Sequence, residues 1–454
     1  MVNISVPFRV DFSWFFKKSI LFLVLCIVLV MILNSNFQMG LIKGNIMSVN
    51  NKITIFSLFV ITFISSGIVL LNLTNQAIEK KTRTERRIYA ISMFLIFFIL
   101  SATLIATTIQ MSLFRNYSKI VFYLTSYLSF ISSLVFLSIL SLKFFQLFLT
   151  RRHYLTLSYG ILFSIYCCSI LLLLIYTISG LATHPSVIKP VPPRELIAGT
   201  YLVNVIFQNN IARIYDILFL ISFILAWVVS IVVLKQYIYR IGKYKFWLLI
   251  SIPLVFHLMR YGTIFSLGQF TVTSGTNIIP SSIGEAIFIS LINSDIQISG
   301  VFFGLPFLII ALKLKNYKLR KTLLITVIGM MLLFGARDLH SVFVSSIPPS
   351  GVITISFMCI GSYMLLTGLI SFLRLATRDR QLYADLARRF ENDDVLLKNL
   401  ILSEKNILTM NLTKPLIDFS IQWQKTHSHD EMSIEEVKEI VHDVTLELRN
   451  KKLK

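Results

Sequence analysis

Charged residues are scarce in this chain. Asp, Glu, Lys and Arg make up only 14% of its 454 residues, whereas soluble proteins carry about 25%. Hydrophobic residues make up 55%, and apolar runs of about 18 or more residues, long enough to cross a bilayer, recur through the first 374 positions. The composition therefore excludes an ordinary soluble domain and predicts an integral membrane protein.

Catalytic and metal-binding signatures are missing as well. The sequence has no Gly-x-Ser-x-Gly elbow, no His-Glu-x-x-His and no Walker loop. His427 and His429 stand without a further fixed ligand set. The few cysteines lie in apolar stretches and predict no disulfide framework; they are Cys26, Cys167, Cys168 and Cys359. We therefore predict no enzyme activity, no catalytic residue, no cofactor and no metal.

Acidic residues are rare in one part of the chain only. Residues 1–374 carry a net charge of +22 and residues 375–454 a net charge of −1. The total of +21 would suggest nucleic acid in a soluble protein. Because the excess lies in the membrane part, it predicts orientation in a bilayer instead, and we expect no nucleic-acid partner.

Ten apolar runs predict an all-α fold, a polytopic transmembrane helical bundle of about ten spans. Helix is expected because each run must satisfy its backbone hydrogen bonds internally. The predicted transmembrane domain is 1–374, and a short helical cytoplasmic tail follows at 375–454. The predicted spans are 19–33, 53–73, 88–110, 120–142, 155–178, 217–234, 246–267, 296–312, 322–336 and 352–373.

Lysine and arginine collect in every second connection between these spans. Such residues accumulate on the cytoplasmic side, so the alternation places both termini in the cytoplasm and the protein in the plasma membrane. No small-x-small cleavage pattern follows the first span, which we interpret as a retained signal anchor. The basic clusters include Lys17 and Lys18, Arg86 and Arg87, Lys143, Arg151 and Arg152, Lys243 and Lys245, Lys318 and Lys321, and Arg374 and Arg378.

Glycine is unevenly distributed along the chain. Five of the 18 glycines precede residue 190, and 13 follow it, with none in the tail. Since glycine permits close helix approach, we expect tight packing or a cavity in the second half. Pro253 and Pro306 lie within predicted spans and are expected to kink them. The segment 269–295 is expected to lie at the membrane surface or re-enter the bilayer.

Charges within spans are costly and rare, so each suggests a functional site. At about 1.5 Å per residue, the charges near the ends of spans seven and nine lie in the outer third of the bilayer. Two interpretations stay open. One is an outward-facing polar pocket that binds a small polar or anionic ligand, with a proton-responsive histidine. The other is a set of ion pairs fastening helices together. We name these residues the outer cluster: His257, Arg260, Tyr261, Asp295, Arg337, Asp338 and His340.

The tail carries two predicted amphipathic helices. The second starts at a capping box, Ser433 to Glu436. We expect the apolar stripe of this helix to pack against the first tail helix, another copy of the chain or a protein partner. The first helix has its apolar face on Leu382, Leu386, Phe390, Leu397, Leu400 and Ile401.

Short segments of the chain resemble known sequences. They are IPPSGVIT at 347–354, GSY at 361–363 and RD at 378–379, together with KFF at 143–145, RR at 151–152 and YG at 159–160. In these segments the chain resembles uncharacterised archaeal multi-pass membrane proteins and is similar to helical sensor modules of prokaryotic signalling proteins. The resemblance implies a sensor-like role and assigns no residue a function.

Two hypotheses of function follow. One is a sensor or receptor-like protein whose tail engages a partner. The alternative is a secondary transporter of a small polar or anionic solute, for which no internal symmetry is visible.

The fastening interpretation of the outer cluster can be tested directly. If Arg260 and Arg337 pair with acids on other helices, Arg260→Ala and Arg337→Ala should each lower purified yield and thermal stability, because a buried partner is left uncompensated. Unchanged yield and melting temperature in both variants would contradict it.

Overall fold

A computed structural model describes most of the membrane part of the chain. The described residues are 26–31, 49–77, 83–115, 117–150, 152–183, 200–235, 238, 242–274, 295–314, 316–336, 351–378, 401–404 and 406–407, with some side chains at helix ends left out. The statements below concern these residues.

The described part is almost entirely helical and contains no strand, which confirms the all-α prediction. Residues 26–31 are also helical and fall within the predicted first span. The long helices are α1 Val49–Ala77, α2 Arg83–Phe114, α3 Lys119–Thr150, α4 Tyr154–Thr183, α5 Thr200–Lys235, α6 Lys243–Ser274, α7 Asp295–Lys313, α8 Tyr317–Gly335 and α9 Val352–Arg378.

Six of these helices are long and apolar enough to cross a membrane, namely α1 to α5 and α9. A shorter apolar stretch, Ile298–Leu312, lies in α7. The length and composition of these six helices are those of a membrane protein. The count of ten spans and the domain boundary at residue 374 stay predictions.

The exposed surface of α2 is apolar. Ile91, Phe94 and Phe98 are 66%, 65% and 65% exposed and share one helix face by their spacing. In water such a face would be a large unpaired hydrophobic patch. It is the surface expected of a helix that contacts lipid.

Helix α9 differs from the other apolar helices in its burial. Of its most apolar stretch 89% is buried within the protein, against 28–50% in the other five. Phe357 contacts Phe63 of α1 with ring centroids 4.9 Å apart, and Tyr363 contacts Phe136 of α3 at 5.6 Å. The apolar side chains of α9 therefore pack against other helices of the protein.

Glycines bring the backbones of α8 and α9 together. A Cβ atom added to Gly361 would lie 2.7 Å from the Leu333 nitrogen, and one added to Gly368 would lie 2.8 Å from the Thr326 nitrogen. On the other side of α8, a Cβ at Gly300 of α7 would lie 2.6 Å from the Gly335 nitrogen. These contacts confirm tight packing in the glycine-rich half of the chain.

Two compact units are present. The first comprises Met1–Leu142 and Ser158–Phe372, and the second comprises Lys143–Leu157 and Leu373–Lys454. The second unit thus combines the end of α3, the start of α4, the last residues of α9 and the tail. Pro253 and Pro306 lie inside α6 and α7. The segment predicted at 269–295 is helical up to Ser274, where α6 ends, and its last residue, Asp295, begins α7. Its residues 275–294 and the second tail helix lie outside the described residues.

Because α8 and α9 approach so closely, adding a single methyl group at their contact is expected to lower the stability of the protein strongly. Gly361→Ala should destabilise the protein by about 1–3 kcal/mol, because backbone atoms of α8 cannot move aside as a flexible side chain would. Thermal unfolding in detergent measures this, with Ser251→Ala at an exposed position of α6 as the matched control. Equal melting temperatures for the two variants would be inconsistent with this packing.

Candidate functional site: His257 and an aromatic chain through the helices

His257 is the residue of the outer cluster whose side chain the structure describes. Arg260 and Tyr261 follow it in α6, and Asp295 begins α7, but their side chains lie outside the described part. Arg337, Asp338 and His340 lie outside the described residues altogether. The predicted grouping of these side chains stays a prediction.

The imidazole of His257 is buried among aromatic rings of α5. Its side chain is 3% exposed. The ring stacks on Phe223 with centroids 4.0 Å apart and planes 13° from parallel, and it lies 5.8 Å from the Phe219 ring. This stacking fixes the His257 ring of α6 against α5.

Further ring contacts lead from Phe223 across three more helices. Phe223 meets Phe303 of α7 at 5.8 Å, and Phe303 meets Phe334 of α8 at 5.1 Å. Phe334 in turn meets Tyr166 of α4 at 5.0 Å. Tilted and edge-to-face pairs of this kind contribute about 0.5–1.5 kcal/mol each beyond burial. We call His257, Phe223, Phe303, Phe334 and Tyr166 the aromatic chain.

The aromatic chain ends in a hydrogen bond to the backbone of α8. The Tyr166 hydroxyl donates to the Leu333 carbonyl oxygen at 2.7 Å, and the Tyr166 side chain is fully buried. Breaking this bond would leave two buried polar groups unsatisfied, which fixes the position of Tyr166. Gly361 of α9 packs on the nitrogen of the same residue, Leu333. The aromatic chain therefore leads from His257 to the contact between α8 and α9.

Sequence reasoning selected His257 and missed the phenylalanines that surround it. A charged or titratable residue in a span is conspicuous, whereas this chain has 37 phenylalanines. The spacing of Phe219 and Phe223 places both on one face of α5, but nothing in the sequence indicates that this face meets α6.

A second feature is the contact made by the tail within the second unit. The Lys143 Nζ atom lies 2.8 Å from the Glu404 Oε2 atom, and their side chains are 21% and 6% exposed. Ser403 and Ile401 beside it are buried, as are Phe144 and several other apolar residues of the same unit. Ile401, which belongs to the predicted apolar face, is buried, and the other members of that face lie outside the described residues. We call the Lys143–Glu404 pair the tail contact.

In the described part of the chain, no three His, Cys, Asp or Glu side chains come together in a way that could hold a metal ion. The chemistry available at the aromatic chain is therefore that of ring stacking, one imidazole and one hydroxyl. At the tail contact it is that of a buried ion pair.

No family model, curated protein or solved structure matches the chain. Its function must be inferred from its own residues.

The tail contact predicts an asymmetric response to mutation. Lys143→Met should lower the free energy of unfolding by about 3 kcal/mol, because Glu404 would keep a charge in a buried position without its partner. The double variant Lys143→Met with Glu404→Met should recover most of this loss, since two apolar side chains replace the pair. Thermal unfolding of the purified full chain measures both effects.

Arg152→Met is the matched control, because Arg152 belongs to the same unit and is exposed. A double variant no more stable than Lys143→Met, or an equal loss in Arg152→Met, would contradict a structural role for the pair.

Proposed function

We propose that the protein is a sensor or receptor-like protein of the plasma membrane, with both termini in the cytoplasm and a tail that engages a protein partner or a second copy. A small polar or anionic ligand is recognised at the outer cluster, where Arg260 and Arg337 supply positive charge. Binding alters the packing of His257, and the aromatic chain carries the change to α8 and α9.

The observation that supports this proposal most strongly is the position of α9. It is the most buried of the apolar helices, it contacts α8 through backbone atoms, and its last residues, from Leu373, belong to the same unit as the tail. Packed helices with two discrete arrangements can pass a shift at one end to the other. A buried α9 followed in the sequence by a tail that is predicted to be helical has the connectivity that such a transition needs.

The proposed orientation is supported by two side-chain contacts. Lys321 at the start of α8 donates a hydrogen bond to Gln76 near the end of α1 at 3.0 Å. The tail contact joins Lys143, near the end of α3, to Glu404 in the tail. In each contact both partners come from segments that the basic-residue pattern assigns to the cytoplasm.

Transport is the second candidate function. Helices α6 and α7 each contain a proline and pack against one another. Helices broken by proline form the solute sites of many transporters. The proposed solute is then the same small polar or anionic molecule.

A thermal-shift screen of the detergent-purified full chain against ions, amino acids, organic acids and pH identifies a stabilising molecule. A sensor should show a change in tryptic cleavage of the tail when that molecule is added, and no uptake of it into proteoliposomes. His257→Phe, which keeps a ring of similar size, should abolish the stabilisation.

His153→Phe is the matched control, since it changes a histidine at the predicted cytoplasmic end of α4. Uptake of the molecule into proteoliposomes with unchanged tail cleavage would favour the transporter. Stabilisation that persists in His257→Phe would show that His257 takes no part in the response to the ligand.

A further inference from the structure

Helix α6 is weakened in the turn that precedes Pro253. This proline lies inside the helix. It has no N–H to donate to the Leu249 carbonyl, and its ring presses against that carbonyl. In the same turn, the Ser251 hydroxyl donates to the Trp247 and Leu248 carbonyl oxygens, both at 3.0 Å. Side-chain bonds of this kind compete with the backbone ladder and often bend a helix. Two independent features therefore weaken α6 at one place.

Trp227 of α5 contacts this weakened turn. Its indole Nε1 atom donates a hydrogen bond to the Ile250 carbonyl oxygen at 3.1 Å. A proline is tolerated in a membrane helix because side chains and neighbouring helices satisfy the backbone groups around it. The Trp227 bond is a contact of that kind, and it ties the part of α6 before Pro253 to α5.

A second contact ties α6 to α5 beyond Pro253. The His257 ring stacks on Phe223 with centroids 4.0 Å apart. Phe223 and Trp227 are four residues apart and therefore share one face of α5. Helix α5 thus holds α6 on both sides of the proline, with a hydrogen bond before it and a ring stack after it.

The two contacts differ in how firmly they hold α6. The Trp227 bond is directional and weakens steeply when the donor turns away from the carbonyl. Ile250 is buried, so breaking the bond would leave its carbonyl without this donor and away from water. Paired rings, by contrast, accept several arrangements, from offset stacking to edge-to-face. The contact beyond the proline can therefore change while the contact before it stays in place.

The proline lies on the buried face of α6. Residues three and four apart form this face, namely Phe246, Ile250, Pro253 and His257, which are all buried. Leu248 and Leu258 lie outside it and are 64% and 60% exposed. Since the proline ring presses on the preceding turn along the buried face, it opens the helix on that side. The part of α6 beyond Pro253 is thereby pushed away from α5, and the stack of His257 on Phe223 opposes this push.

We propose that Trp227 is a positioning residue for His257. It fixes the inner arm of α6, residues 243–252, on α5, while the outer arm, residues 254–274, moves about Pro253 between two arrangements. In one arrangement His257 stacks on Phe223, and in the other its ring is withdrawn. The hinge is a property of α6 itself, whereas its use by a ligand rests on the proposed function.

Fluorine NMR of the full chain in lipid nanodiscs tests this proposal without any ligand. Trifluoromethyl-phenylalanine replaces either Leu248 in the inner arm or Leu258 in the outer arm, two positions of similar exposure. We expect two resonances, or one broadened by exchange, at position 258 and a single sharp resonance at position 248. Pro253→Ala restores the missing N–H, so both positions should then give a single sharp resonance.

The role of Trp227 is tested by Trp227→Phe, which removes the indole donor and keeps an aromatic ring. A second resonance should appear at position 248, because the inner arm is no longer fixed. Trp247→Phe is the matched control, since Trp247 is 58% exposed on the same arm, and it should leave that resonance single. A purely structural role of Trp227 would lower the melting temperature of Trp227→Phe without adding the second resonance.

His257→Ala removes the stack and should increase the share of the second resonance at position 258, while position 248 stays single. An arrangement too rare to detect in the wild type becomes visible in this variant. A single sharp resonance at position 258 in both the wild type and His257→Ala would overturn the hinge. Two resonances at both positions in the wild type would show that α6 moves as one body. An unchanged position 248 in Trp227→Phe would remove the positioning role of Trp227.

Failure of the hinge and failure of the proposed function give different results. If the thermal-shift screen finds no stabilising molecule but position 258 shows two resonances, the hinge stands and the sensor role fails. If a molecule stabilises the wild type and not His257→Phe, but position 258 gives one resonance throughout, the sensor role stands and the hinge is wrong.

Discussion

The contact between the backbones of α8 and α9 is the constraint on which the rest of this protein depends. Gly361 and Gly368 allow an approach at which any side chain would collide with backbone atoms of α8. Helix association in a bilayer gains little from the hydrophobic effect, so such packing supplies much of the binding energy between spans. It also explains why α9 is both apolar and buried, since small residues let α8 replace lipid along its length.

The proposed signalling route depends on this contact. The aromatic chain ends at Leu333, the residue against which Gly361 packs, so a change in packing at His257 would reach a point where α9 lies directly on the backbone of α8. At the other end of α9, Leu373 and the residues that follow belong to the unit that contains the tail contact. Rings packed at fixed distances transmit displacement because a close-packed interior deforms little.

Hydropathy and charge could predict much of this fold, because the bilayer imposes helices on any apolar run of sufficient length. The predicted run at 352–373 coincides with α9 and the glycine imbalance indicated where packing is tight, but neither showed that α9 is shielded from lipid. Buried and lipid-facing helices are equally hydrophobic, so composition cannot separate them. For the same reason, the sequence could not distinguish Phe223 and Phe303 from the many other phenylalanines. His257 was found because a titratable residue within a span is rare, and the pairing of Lys143 with Glu404 was missed because no local pattern relates residues so far apart in sequence.

Photolabelling of the protein in lipid bilayers with a lipid-soluble diazirine, read out residue by residue, tests most directly whether α9 is enclosed by other helices. We expect strong labelling of Ile91, Phe94 and Phe98 on the exposed face of α2. Residues 355–365 of α9 should remain unlabelled until the protein is denatured. Labelling of α9 in the folded protein to the same extent as α2 would contradict its burial, and with it the proposed route from His257 to the tail.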